Sequence, residues 1–180
     1  PMPGIALTIR LADGTEAPTG EPGEIWLRSG GLTDGYLRNP EETKAAFADG
    51  WFHTGDAGYM DEQGYVYLVD RIKDMIVSGG ENIYSLEVER AIASHPGVMQ
   101  VAVIGLPDSH WGEIVHAIVV PQADASLTGD MIIQHARERI ARYKCPKSVE
   151  IRAASLPLSA VNKILKRELR KELLERGTGV

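Results

Sequence analysis

Residues 49–85 read "DGWFHTGDAGYMDEQGYVYLVDRIKDMIVSGGENIYS", and the change of rhythm inside this stretch decides the fold. Its first half contains "AGYMDEQGYVYLVD", which predicts a hairpin turning at residues 61–64. After Asp70 the pattern shortens to "DMIVSGG", a brief strand. It then enters "SLEVERAIASH", a helix with Ser85 as its expected cap. The switch at residues 70–74 is the expected domain boundary, with residues 1–70 on one side and 71–180 on the other.

Upstream, "IALTIRLADG" alternates and ends on an Asp-Gly turn, and "GEIWLRSGG" repeats that format, so both are expected strands. "NPEETKAAFADG" predicts a short helix capped by Asn39, with Pro40 in its first turn and Gly50 stopping it. Downstream, "VMQVAVIGLP" and "EIVHAIVVP" are apolar runs of strand length. "TGDMIIQHARERIARY" is amphipathic, with Ile132, Ile133, Ala136 and Ile140 on one side. "SVEIRAA" is a further strand, and "ILKRELRKELLER" closes with Leu165, Leu169 and Leu173 on one stripe. The expected class is α/β in the α+β sense: a β-rich part, then a small α/β domain whose short sheet is flanked by helices.

With 180 residues and 43% apolar composition the chain can build a real core. A net charge of −6 argues against general attraction to nucleic acid or an anionic membrane, although the basic "KILKRELRKELLER" leaves a local anion site open. Cys145 is the one cysteine, so no internal disulfide forms, and a reducing, cytoplasmic setting is expected. Neither a membrane-spanning run nor a signal-peptide layout is visible. The opening "PMPGIALTIRLADG" is a proline turn running straight into a strand with no initiator methionine, which reads as a piece cut from a longer polypeptide.

Several short motifs carry possible chemistry, each with a plain structural reading beside it. "HTGD" (53–56) is an ordinary turn, or else Asp56 offers two acceptor oxygens to a ribose diol. "DRIKD" (70–74) is a solvated strand end, or else Arg71 holds a ribose or phosphate oxygen from a rigid strand. "SGGEN" (78–82) is a flexible hairpin turn, or else Gly79 and Gly80 let a ligand approach the backbone. Lys163 in "SAVNKILKRELR" is one more surface lysine, or else a point charge for a developing oxyanion. The five histidines show no metal-ligand spacing, and no Ser/His/Asp arrangement or P-loop is present.

In combination and order, these motifs resemble the C-terminal third of the adenylate-forming acyl-CoA synthetase family. The blocks "GGLTDGYLRNPEETKAAF", the whole of 49–89, "HPGVMQVAVIGLPDSHWGE", "RYKCPK" and "LPLSAVNKILKREL" carry the resemblance across essentially the whole chain. It implies a terminal β-rich subdomain of a large adenylating domain, followed by a mobile C-terminal domain. It also implies use of ATP and coenzyme A, with AMP released and a magnesium site in the region preceding this chain. By motif, Asp56 would hold the ribose hydroxyls, Arg71 would contact the same nucleotide, and Lys163 would stabilise the adenylation transition state. Lys73 would be the hinge. Gly79 and Gly80 would line the pantetheine tunnel, Trp111 would border it, Tyr143 would stack on the CoA adenine, and Lys147 would meet CoA phosphate.

Three positions depart from the common family pattern. Asn162 and Asp70 each replace a glycine, and Cys145 stands where some relatives present a basic residue to CoA. The resemblance implies a carboxylic acid–CoA ligase whose phosphate loop and acyl pocket lie outside this chain, so the chain alone is expected to be inactive. A carrier-protein loading enzyme and a non-catalytic interaction module are the alternatives.

Overall fold

The computed structural model describes residues 3–177, so the first two residues of the expected proline turn lie outside it. The chain divides into two compact units, Pro1–Lys73 and Asp74–Val180.

The first unit is one antiparallel sheet. Strands β1 (Ala6–Arg10), β2 (Gly23–Arg28) and β4 (Trp51–Met60) lie side by side, and β3 (Phe47–Ala48) and β5 (Val66–Arg71) both pair with β4. Ile9, Ile25 and Ala57 are buried within it. Helix α1 (Pro40–Ala46) begins as expected, with the Asn39 side chain accepting from the Glu42 N–H and Pro40 in the first turn. Its end differs from expectation, because Gly50 does not stop it. The helix ends at Ala46, and Asp49 and Gly50, with φ of +53° and +75°, form the two-residue turn of the β3–β4 hairpin. The β4–β5 turn is tied by Asp61, whose Oδ1 accepts from the Gln63 and Tyr65 N–H groups.

The second unit is a mixed sheet covered on both faces. Strands β6 (Ile76–Ser78) and β7 (Glu81–Ile83) form a hairpin, and α2 (Ser85–Ala93) follows. Long antiparallel strands β8 (Val98–Asp108) and β9 (Gly112–Pro121) make the centre. Helix α3 (Gly129–Arg137) leads to β10 (Ser148–Ile151), which pairs parallel to β9, and α4 (Lys166–Glu175) ends the fold. Period-two alternation sends Val101, Val103, Val115, Ala117 and Val119 to one face, against Val88 and Ile92 of α2 and Ile132 and Ala136 of α3. Ala102, Ile104, Ile114, Ile118 and Val120 face the other way, against Leu169 and Leu173 of α4. Burial on both faces is why these two strands read as continuous apolar runs.

Two local expectations change here. Ser85 is not the α2 cap: Tyr84 holds that position, and the buried Ser85 hydroxyl accepts from the Lys166 ammonium at 2.7 Å. Helix α3 stops at Arg137, well before Tyr143. The following turn still brings Ile140 against the same core, and Pro146 holds Cys145 extended.

Candidate functional site

In the first unit "HTGD" is not a turn but the middle of β4. The β2–β4 pairing matches Glu24 with Ala57 and Trp26 with His53, so Thr54, Gly55 and Asp56 bulge opposite Ile25. Gly55 takes φ +69° at this bulge, a conformation for which glycine is the least strained residue. Side chains hold the bulge in shape. Glu24 accepts from the Gly55 N–H at 2.9 Å, the Thr54 hydroxyl donates to the Ile25 carbonyl at 2.7 Å, and the Asp56 N–H donates to Thr54 Oγ1 at 3.0 Å. Glu24 is itself oriented by the Trp26 indole N–H at 2.9 Å.

On the other side of β4, Asp56 sits directly opposite Arg71 of β5, and Arg71 Nε donates to Asp56 Oδ1 at 2.9 Å. The side chains stay accessible, 35% for Asp56 and 48% for Arg71. The result is an acceptor and a planar donor fork side by side on two rigid strands, matched to hydroxyl and phosphate oxygens. Arg71 is followed by a 3-10 turn, Ile72–Asp74, in which Lys73 is exposed and is the last residue of the first unit.

In the second unit Gly79 and Gly80 form the exposed turn between β6 and β7, with φ of +60° and +86°. The Gly79 N–H donates to the Trp111 carbonyl at 2.9 Å. A Cβ on Gly79 would lie 2.8 Å from Trp111 Cε3, so the ring occupies the room a side chain would need. Lys147 Nζ lies 5.3 Å from the centroid of that ring. Gly79, Trp111 and Lys147 therefore form one exposed group. Tyr143, 49% exposed, makes no ring or hydrogen-bond contact with Trp111 or Lys147 among the described residues, and its ring faces Lys144 at 5.7 Å. Cys145 is buried in the core, and burial pushes its thiol pKa up, so this position does not face solvent as a CoA contact would require.

Lys163 stands on a separate, tightly closed loop. Ser159 N–H donates to the Lys163 carbonyl at 2.8 Å, and Ser159 Oγ accepts from the Lys163 N–H at 3.1 Å. Asn162 has φ +58°, the left-handed region that glycine and asparagine tolerate best, which explains why asparagine can stand in for the family's glycine. One turn later Lys166 pairs with Glu89 at 2.7 Å, fixing the start of α4 to α2 while the Lys163 side chain remains exposed. Sequence reasoning missed Glu24, Glu89, Lys166 and Glu113, whose partners are distant in sequence. Only Gly55 within a strand-like run hinted at the bulge. Among the described residues, no three His, Cys, Asp or Glu side chains gather as a metal site, and no helix is long and apolar enough to cross a membrane.

Residues 87–163 match the family described as AMP-binding enzyme C-terminal domain. The chain is 46% identical over 172 residues to a feruloyl-CoA synthase of an Amycolatopsis species, covering 94% of this chain and 35% of that protein. It is 47% identical over 166 residues to the long-chain-fatty-acid–CoA ligase FadD13 of Mycobacterium tuberculosis, covering 92% of this chain and 32% of that protein. Among solved structures it superposes with TM-score 0.86 and 35% identity on the o-succinylbenzoate CoA synthetase of Bacillus subtilis in complex with its acyl-adenylate intermediate. That match covers 94% of this chain and 34% of that one. The chain thus spans about a third of the length of the curated relatives it matches.

Proposed function

We propose that this chain, whose residues 87–163 match the AMP-binding enzyme C-terminal domain and whose relatives include a feruloyl-CoA synthase and a long-chain-fatty-acid–CoA ligase, is the C-terminal portion of an ATP-dependent carboxylic acid–CoA ligase of the adenylate-forming acyl-CoA synthetase family. In the first half-reaction the substrate carboxylate attacks the α-phosphorus of ATP, and pyrophosphate leaves. In the second, the CoA thiol attacks the acyl carbon of the adenylate, its proton is lost, and AMP leaves with the phosphoryl oxygen.

Asp56 accepts hydrogen bonds from the ribose hydroxyls, and Arg71, locked to it, adds donors to the same nucleotide. Lys163 brings a localised positive charge to the charge that develops as the α-phosphorus is attacked. Gly79 and Gly80 leave a side-chain-free path for the pantetheine arm. Trp111 borders that path, Tyr143 stacks on the CoA adenine, and Lys147 meets a CoA phosphate. Lys163 and the Gly79–Gly80 turn stand on different loops of one unit. A domain that turns about Lys73 between half-reactions lets each loop serve in its own step.

The observation that carries this reading is the accessible Asp56–Arg71 pair, held in strand register at 2.9 Å by a side-chain-braced bulge. Magnesium, the phosphate loop and the acyl pocket belong to the preceding part of the full-length protein, so this chain alone is inactive. A cytoplasmic location accords with a single, buried cysteine.

The test is AMP release by the full-length protein with ATP, magnesium and a panel of aryl and aliphatic carboxylic acids, with and without CoA. Thioester and AMP that appear together only when CoA is present support the ligase and name its acid. Pyrophosphate exchange without any thioester would instead indicate a different acceptor, such as a carrier-protein phosphopantetheine. Silence across the panel would sink the enzymatic reading.

A further inference from the structure

The β6–β7 hairpin is attached to the rest of its sheet by very little backbone. Ser78 pairs with Gly112 of β9, and the Gly79 N–H reaches the Trp111 carbonyl. The next inward N–H, that of Val77, donates instead to a side chain, Glu113 Oε2, at 3.1 Å. The other oxygen of the same carboxylate accepts from Arg170 Nη2 of α4 at 2.7 Å. Room for this arrangement comes from the neighbouring strand, where a Cβ on Gly105 would lie 2.7 Å from Glu113 Oε2. Glu113 is 22% exposed, so its bonds are partly shielded from water and stronger than those of a free surface pair.

We infer that Glu113 is a positioning residue: its carboxylate, oriented by Arg170, holds the Gly79–Gly80 turn in register for the thioester-forming step. The inference rests on the ligase reading of that turn. A carboxylate suits the task because its two oxygens can serve two donors at once, here one backbone N–H and one guanidinium. The same bridge ties the turn to α4, the helix that begins three residues after Lys163. Ile76 and Ile83 anchor the base of the hairpin in the core, so loss of the carboxylate leaves its turn end on the Ser78 and Gly79 backbone contacts alone, free to shift where small displacements are costly.

Glu113→Ala, Glu113→Gln and Arg170→Met in the full-length protein test this. The readouts are acid-dependent pyrophosphate exchange, thioester formation from supplied acyl-adenylate, and amide exchange of peptides spanning residues 75–80. Glu113→Ala is expected to lower kcat/KM for CoA by about 10- to 100-fold, mostly through KM, and to leave pyrophosphate exchange within about twofold. Glu113→Gln keeps an acceptor for Val77 and recovers part of the loss, Arg170→Met gives a smaller loss, and amide exchange at 75–80 accelerates in parallel. Unchanged amide exchange in Glu113→Ala overturns the inference, as does faster exchange with an unaltered CoA step. Equal loss of both half-reactions with no rescue by glutamine would assign Glu113 a merely structural part. A wild-type protein that makes no thioester from any acid fails the ligase reading itself, while the amide exchange still decides whether the brace exists.

Discussion

Alanine at Gly79, compared with alanine at Gly80, separates the two demands placed on this turn. Both residues have positive φ, +60° and +86°, so each substitution carries a left-handed backbone cost of about 1 kcal/mol. Only the first adds a collision. A Cβ at Gly79 falls 2.8 Å from Trp111 Cε3 and 3.0 Å from Cζ3, whereas one at Gly80 meets nothing within 4 Å. To restore an ordinary carbon–carbon separation of about 3.5 Å the ring must retreat by roughly 0.7 Å. Trp111 is 43% exposed and can move, so the added cost is at the low end of overpacking, about 1 kcal/mol. Gly79→Ala is therefore expected to lose about 2 kcal/mol and Gly80→Ala about half of that. Urea unfolding of this chain measures the difference, and the indole N–H resonances report on the ring. The chain has three tryptophans, and the Trp111 signal should move in Gly79→Ala and stay in place in Gly80→Ala. In the full-length protein the KM for CoA should rise more for Gly79→Ala. Equal stabilities and an unmoved Trp111 resonance in both variants would refute the packing argument.

Lys163→Ala should lower adenylation by about 10²- to 10³-fold, the scale of removing one preorganised charge, and leave thioester formation from supplied acyl-adenylate near wild type. Parallel loss in the two half-reactions would remove that role. Asp56→Ala, which takes away the acceptor and leaves Arg71 without its 2.9 Å partner, should raise the KM for ATP about tenfold or more in pyrophosphate exchange, with the KM for the acid little changed. An unchanged KM for ATP would speak against nucleotide binding at this pair. His116 supplies a pH dependence. Burial pushes its pKa down, Arg152 adds to this and Glu150 opposes it. The unfolded chain therefore takes up the proton first as pH falls. The stabilising effect is fully present above the unfolded value of about 6.5 and is lost as pH falls through the depressed folded value. Melting temperatures from pH 7.5 to 5 should drop more steeply for the wild type than for His116→Gln, and parallel curves would contradict the assignment.

Most elements were legible in the sequence because their signals are local. Asn39-Pro40 announced α1, the Asp61–Gly64 turn announced the β4–β5 hairpin, and the Leu169 and Leu173 stripe announced α4. Expectations failed where a residue's partner came from elsewhere in the chain. Gly50 reads as a helix stop, yet the pairing of Ala48 with Trp51 makes it half of a hairpin turn. Ser85 reads as a cap, yet Lys166, 81 positions away, claims its hydroxyl. Cys145 stands where some relatives present a basic residue to CoA, and only the fold shows that it is buried in the core with α3.

The candidate site divides in the same way. Sequence by itself determined which chemistry is present: an acid, an arginine, a glycine pair and a lysine, in an order that resembles one enzyme family. It determined the apolar runs of strand length that became β8 and β9 and the stripe spacing that makes α4 a helix, because those depend on side chains a few residues apart. Tertiary structure decided how the groups are aimed. The bulge at Thr54–Gly55–Asp56 depends on Glu24 and Ile25 of another strand, the Asp56–Arg71 pair on strand register, and the Gly79 turn on the Trp111 ring and the Glu113 carboxylate. Orientation of this kind arises from contacts between residues far apart in the chain, and such contacts exist only once the strands have paired.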